Sequence, residues 1–142
     1  MSRSTDKTVL TAKSDTLGGR FVETADFYLP ETFLVESIQI IGRNPADGDG
    51  DTVALDVSTS SDGFAANDVE LAADAAAEYN DTDNTQAFVT GVPQPMTLTG
   101  VTLIDSDGNI RVPSGNIIRT IITWTGSPAD GALSVAVVGW YI

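Results

Sequence analysis

Residues 115–142 read GNIIRTIITWTG, SPAD and GALSVAVVGWYI. The pattern predicts strand, tight turn, strand, with the second strand reaching Ile142. In that second strand Val135, Val137 and Tyr141 point one way, and Ala136, Val138, Trp140 and Ile142 point the other. Both faces are apolar. A strand of this kind has to be covered on two sides, by a second sheet, a loop or another subunit. The two segments together read as a closing hairpin built to pack.

Working outward, the same texture recurs. Candidate strands are 8–13, 20–29, 33–42, 52–60, 86–90, 96–104, 117–125 and 133–141. The alternation is cleanest over 52–60, where Val53, Leu55 and Val57 share one side and Ala54, Asp56 and Ser58 the other. Glycine, proline, asparagine and aspartate separate the segments, at 17–19, 30–31, 44–51, 105–109, 114–115 and 127–131. Strands at this spacing predict an all-β chain, a two-layer antiparallel β-sandwich with jelly-roll-like order. One segment competes. NDVELAADAAAEY, residues 67–79, is alanine-rich, and Asn67 with Glu70 has capping-box spacing, so a short helix near 67–79 stands beside a loop reading. Residues 1–16 read as an N-terminal arm or first edge strand, and 17–142 as a single β-sandwich domain. A chain of 142 residues buries enough surface for one core without disulfide or metal.

The formal charge is −13, from 20 acidic and 7 basic residues. Such a surface repels phosphate backbones and anionic membranes, so neither nucleic acid nor membrane is an expected partner. No run approaches the roughly 20 apolar residues that span a bilayer. The first residues lack the apolar core of a secretory signal, and synthesis in the cytoplasm is the expectation.

The chain has no histidine and no cysteine. That removes Ser-His and Cys-His nucleophile pairs and histidine-bound zinc. Paired carboxylates remain, but they cluster in glycine-rich turns rather than beside aromatics that would raise a pKa. The expectation is a protein that is not an enzyme. Three carboxylates, Asp47, Asp49 and Asp51, alternate in NPADGDGDT, where hard oxygens can converge on Ca²⁺. The EF-hand pattern fails, since Thr52 and Ser58 stand where its glycine and glutamate belong. A solvated turn is the competing reading, with no cofactor. DSDGN, residues 105–109, reads as a hairpin turn through Asp107-Gly108. Trp124 and Trp140, placed on the two arms of the closing hairpin, read as core anchors. Exposed together they would instead form a sugar-stacking platform, the basis of an alternative reading as a carbohydrate-binding module. Residues 2–14 hold Arg3, Lys7 and Lys13, three of the seven bases, and such an arm can dock on an acidic neighbour.

Three stretches carry a resemblance: FYLPETFLVESIQIIGR (27–43), DGDGDTVALDVSTSSDGF (47–64) and TWTGSPADGALSVAVVGWYI (123–142). Their layout resembles small head-decoration or auxiliary-capsid proteins of tailed-phage virions, over most of 21–142. The resemblance implies a jelly-roll-like β-sandwich that binds the major capsid protein and copies of itself, with a homotrimer expected on local threefold positions. It places the protein on the virion, at the capsid surface. It implies no catalytic or ligand-binding residues, and the alanine-rich acidic stretch 67–84 departs from the pattern.

Overall fold

The computed structural model describes residues 6–16, 19–46, 51–79, 89–99, 103–126 and 130–142, with 73–78 described by backbone alone. The described residues form nine strands and no α-helix: β1 (Thr8–Asp15), β2 (Val22–Tyr28), β3 (Phe33–Asn44), β4 (Thr52–Ser60), β5 (Val69–Glu78), β6 (Gln94–Pro95), β7 (Ile110–Val112), β8 (Ile117–Thr125) and β9 (Ala132–Tyr141). They make two antiparallel sheets. One runs β1-β9-β3-β6, with β7 also pairing β3, and the other runs β2-β8-β4-β5. This alternation is the strand order of an eight-stranded jelly roll, with β6 and β7 sharing one place. The all-β sandwich expectation holds.

The closing hairpin does not form. β8 is flanked by β2 and β4, and β9 by β1 and β3, so the two strands lie in opposite layers. The reason is visible in their composition. Each is apolar enough to be a central strand, and a central strand already has two ladder partners. The chain therefore crosses between layers after Thr125, with positive φ at Gly126 (109°) and Asp130 (58°). Residues 27–43 behave alike, since β2 and β3 also belong to different sheets.

The core lies between the layers. Ile118, Ile122 and Trp124 enter from β8, Leu133, Val135 and Val137 from β9, and Val53, Leu55 and Val57 from β4. Each set sits at period two on its strand, as the sequence alternation requires. Phe33 is fully buried and meets the half-buried Tyr141 edge-on, ring centroids 5.1 Å apart.

The short helix expected near 67–79 is replaced by β5. Residues 67–79 offer only Val69 and Leu71 as large aliphatics, too few for the apolar stripe a helix must bury. The open edge of β4 offers a full ladder instead, and tertiary pairing outweighs alanine's helix propensity. The register shifts so that Val57 faces Ala72 and Ser58 faces Glu70. Leu71 is thus the extra residue of a bulge, and both Leu71 and Ala72 are buried. Of the strand expected over 96–104, residues 100–102 lie outside the described residues, and 96–99 and 103–104 form no strand. Pro93 and Pro95 lack ladder donors, which limits pairing to β6. Beyond it the chain spans the side of the sandwich: the Met96 amide donates to Ile38 O of one sheet (2.8 Å), and the Thr99 amide to Leu71 O of the other (2.7 Å). Of the segment 86–90, residues 86–88 lie outside the described residues, and Thr90 forms one parallel bridge to Gly42.

Candidate functional site

Of the three candidate metal ligands, Asp47 and Asp49 lie outside the described residues. Asp51 is 1% exposed, and its backbone oxygen accepts from the Tyr79 amide at 3.3 Å. Its carboxylate Oδ1 fills the space beside Gly126 that a side chain there would need. Among the described residues no three acidic side chains gather where they could hold a metal ion. The 105–109 turn forms as read: Asp105 Oδ1 accepts from the amides of Asp107 and Asn109, each at 3.0 Å, and Ile104 bridges Ile110 across it.

The two tryptophans share no surface. Trp124 is 3% exposed, and its Nε1 donates to the Ser14 hydroxyl at 2.8 Å. Trp140 is half-buried on the outward face of the other sheet, opposite Leu34. The Lys7 ammonium sits 5.4 Å from its ring centroid and pairs with Glu36 at 3.0 Å. Val9 and Val138, directly cross-strand, continue this outward apolar row, with Val9 53% exposed. The sugar platform built on both rings is therefore overturned, because the strands that carry them are in different layers.

The outward face of the four-stranded sheet carries a second cluster that the sequence did not flag. Arg119 makes a two-pronged contact with Asp26, Nε to Oδ1 at 2.8 Å and Nη2 to Oδ2 at 3.0 Å. Its guanidinium lies 4.1 Å from the Phe64 ring centroid. Phe64 holds φ 65° in a loop organised by two side chains. Ser60 Oγ accepts from the Phe64 amide at 2.9 Å, and Asp62 Oδ2 accepts from the amides of Ala66 and Asn67, both at 3.0 Å. The signal was there in principle, since Asp26 and Arg119 are opposite charges, but their register across 93 positions cannot be read from spacing.

Both carboxylates are held below the ordinary range, Asp26 chiefly by its bond from Arg119 and Asp62 chiefly by its bond from Ser60. A carboxylate with a lowered folded-state pKa adds stability above its unfolded value, near 3.8, and loses it as pH falls through the lower folded value. The difference in unfolding free energy between wild type and Asp26→Asn is therefore expected to be present at pH 5–7 and to vanish towards pH 2. Urea titrations across that range measure it. A difference that is constant with pH would remove the assigned role of the ion pair.

One end of the sandwich holds a cavity of about 320 Å³ lined in part by Thr59, Ser60, Val69, Leu103, Pro113 and Asn116. Asn116 is nearly buried and donates to Thr59 Oγ1 at 3.3 Å, while Thr59 donates to Ile117 O at 2.9 Å. These bonds fasten the turn before β8 to the end of β4.

No family model matches this chain, and no curated protein does. Two solved chains are similar in structure, from infectious bursal disease virus Gx strain and Gt strain, each at 14% identity, with TM-scores of 0.33 and 0.31. Each comparison covers 97% of this chain and 38% of the viral one, so this chain spans well under half the length of those it resembles.

Proposed function

We propose that the protein is a non-enzymatic structural component of a virion, a head-decoration or cement subunit that binds the major capsid protein and copies of itself. The observation that carries this reading is the jelly-roll strand order in a chain without histidine or cysteine. That order recurs in viral capsid domains and in lectins, and fold alone does not choose between them. The sugar-binding alternative rests on Trp124 and Trp140 exposed side by side. Here Trp124 is interior and Trp140 is covered by Lys7. The resemblance carried by residues 27–43, 47–64 and 123–142 supports the capsid reading.

The mechanism is burial of area. Each copy covers a seam between capsomers, and modest energies per copy sum over the shell. A trimer matches the local threefold axes of an icosahedral lattice. The test is retention. The protein is expected to remain on particles through repeated washing and to raise the temperature at which heads rupture. A protein absent from purified particles, or one whose removal leaves rupture unchanged, would overturn the reading.

A further inference from the structure

The wall of the cavity at the end of the sandwich contains a buried acceptor with no donor. Asn116 is 8% exposed, and its Nδ2 donates to Thr59 Oγ1 at 3.3 Å. The Thr59 hydroxyl has a single proton, which goes to Ile117 O at 2.9 Å. Only an N–H can therefore face Thr59, and this fixes the orientation of the Asn116 amide. Asn116 Oδ1 is left on the other side, and among the described residues it has no partner. The other two buried polar side chains of the wall are satisfied. Thr59 both donates and accepts, while Ser60 Oγ lies 2.8 Å from Asp62 Oδ1 and accepts from the Phe64 amide at 2.9 Å. Buried acceptors are nearly always paired, so an orphan in a cavity wall marks where a donor from outside the chain fits.

The cavity suits a small guest. Its volume of about 320 Å³ is at the lower end of small-molecule sites, which run from roughly 300 to 1,000 Å³. Val69, Leu103 and Pro113 supply apolar wall, and none of the described lining residues is charged. A water on Asn116 Oδ1 finds few further partners against those three side chains. A charged guest would lose its hydration there without a counter-charge. The 60–67 loop, which forms part of the wall, is braced by Asp62 Oδ2 accepting from the amides of Ala66 and Asn67, so the site is formed before a guest arrives.

We infer that this cavity binds a small neutral molecule carrying one N–H or O–H donor on an apolar body, the chemistry of simple indoles and phenols. The donor meets Asn116 Oδ1, and the body lies against Val69 and Leu103. The site belongs to the isolated protein and does not depend on the virion reading.

Titration of ¹⁵N-labelled protein with indole and with benzofuran tests it. Benzofuran keeps the bicyclic frame and replaces the N–H by an oxygen. Indole is expected to shift the amide signals of Thr59, Val69, Leu103 and Asn116 saturably, with a Kd of about 1 mM or tighter, and benzofuran to bind about tenfold more weakly. Asn116→Leu keeps the approximate shape and removes the acceptor, so it is expected to bind the two ligands equally. Val69→Phe fills the cavity and is expected to abolish the shifts while the rest of the spectrum is retained. The comparison of the two ligands on wild type stands even where a variant fails to fold. No saturable shift up to the solubility of indole, equal binding of both ligands by wild type, or a preference for indole that survives in Asn116→Leu would each overturn the inference and show a cavity that holds water only or binds without Asn116.

Discussion

Replacing Trp124 by alanine is expected to lower the unfolding free energy by about 4 kcal/mol. The corresponding fall in melting temperature is roughly 12 °C for a domain of this size. Trp124 joins the two layers. It stands on β8 of the four-stranded sheet, and its indole N–H donates at 2.8 Å to Ser14 on β1 of the other sheet. Its ring lies 6.2 Å from Tyr79, itself fully buried, and against the backbone of Gly131 where the chain enters β9. Truncation opens a large void among groups that cannot all move inward, and it leaves the 2%-exposed Ser14 hydroxyl without its donor. Trp124→Phe separates the two contributions. It keeps most of the apolar volume and loses the hydrogen bond, for an expected cost of about 1–2 kcal/mol. Guanidinium titrations followed through Trp140, the remaining tryptophan, measure both variants. An alanine variant that loses less than the phenylalanine variant would show that Trp124 does not hold the layers together.

How much of this was legible in the sequence depends on the range of the interaction. Period-two alternation in 52–60 placed β4 and its inward face, and the apolar run 117–125 placed β8, because both signals are local and the pleat has one period. Pairing partners are not local. Both β8 and β9 look like halves of a hairpin until it is known that β2 and β4 take both edges of one, and β1 and β3 both edges of the other. Short connections favour hairpins, and a jelly roll violates that preference at this link. β5 failed for a related reason. Alanine carries a helix signal but little surface, so an open edge on β4 decides its conformation. β7 is three residues long, below what alternation can reveal. The functional surfaces were less legible still. Asp26 and Arg119, or Lys7 and Trp140, become partners only through register. Among the named carboxylates, Asp51 is buried with its carboxylate beside Gly126, a burial that charge alone would not suggest.

Gly139→Ala is expected to destabilise the fold by about 3 kcal/mol, the reverse of the usual gain from replacing glycine at a compatible site. Gly139 is a residue of β9, between Thr8 of β1 and Val35 of β3. Its conformation is ordinary for a strand, so backbone strain is not the cause. Space is. A Cβ built there runs into the carbonyl oxygen of Leu34 and comes within 2.8 Å of Phe33 Cε1 and 2.9 Å of the Leu34 carbonyl carbon. The ladder between β3 and β9 skips Glu36, pairing Val35 with Gly139 and Ser37 with Val138, and this irregularity brings the two backbones into close approach. Relief requires β3 to move away from β9, and both are interior strands of their sheet. Gly42 provides the comparison. A Cβ there meets the end of the Tyr79 side chain, 2.8 Å from Cζ, so a ring can shift where a strand cannot. Gly42→Ala is therefore expected to cost less than Gly139→Ala, and it should register as a loosened Tyr79–Thr90 contact rather than a displaced strand. Thermal melts rank the two, and equal losses would remove the backbone argument. The comparison also bears on the outward face. Leu34 and Glu36 flank the crowded point, one packed opposite Trp140 and the other paired with Lys7, so moving β3 at Gly139 also opens the Lys7–Trp140 contact on the outward face.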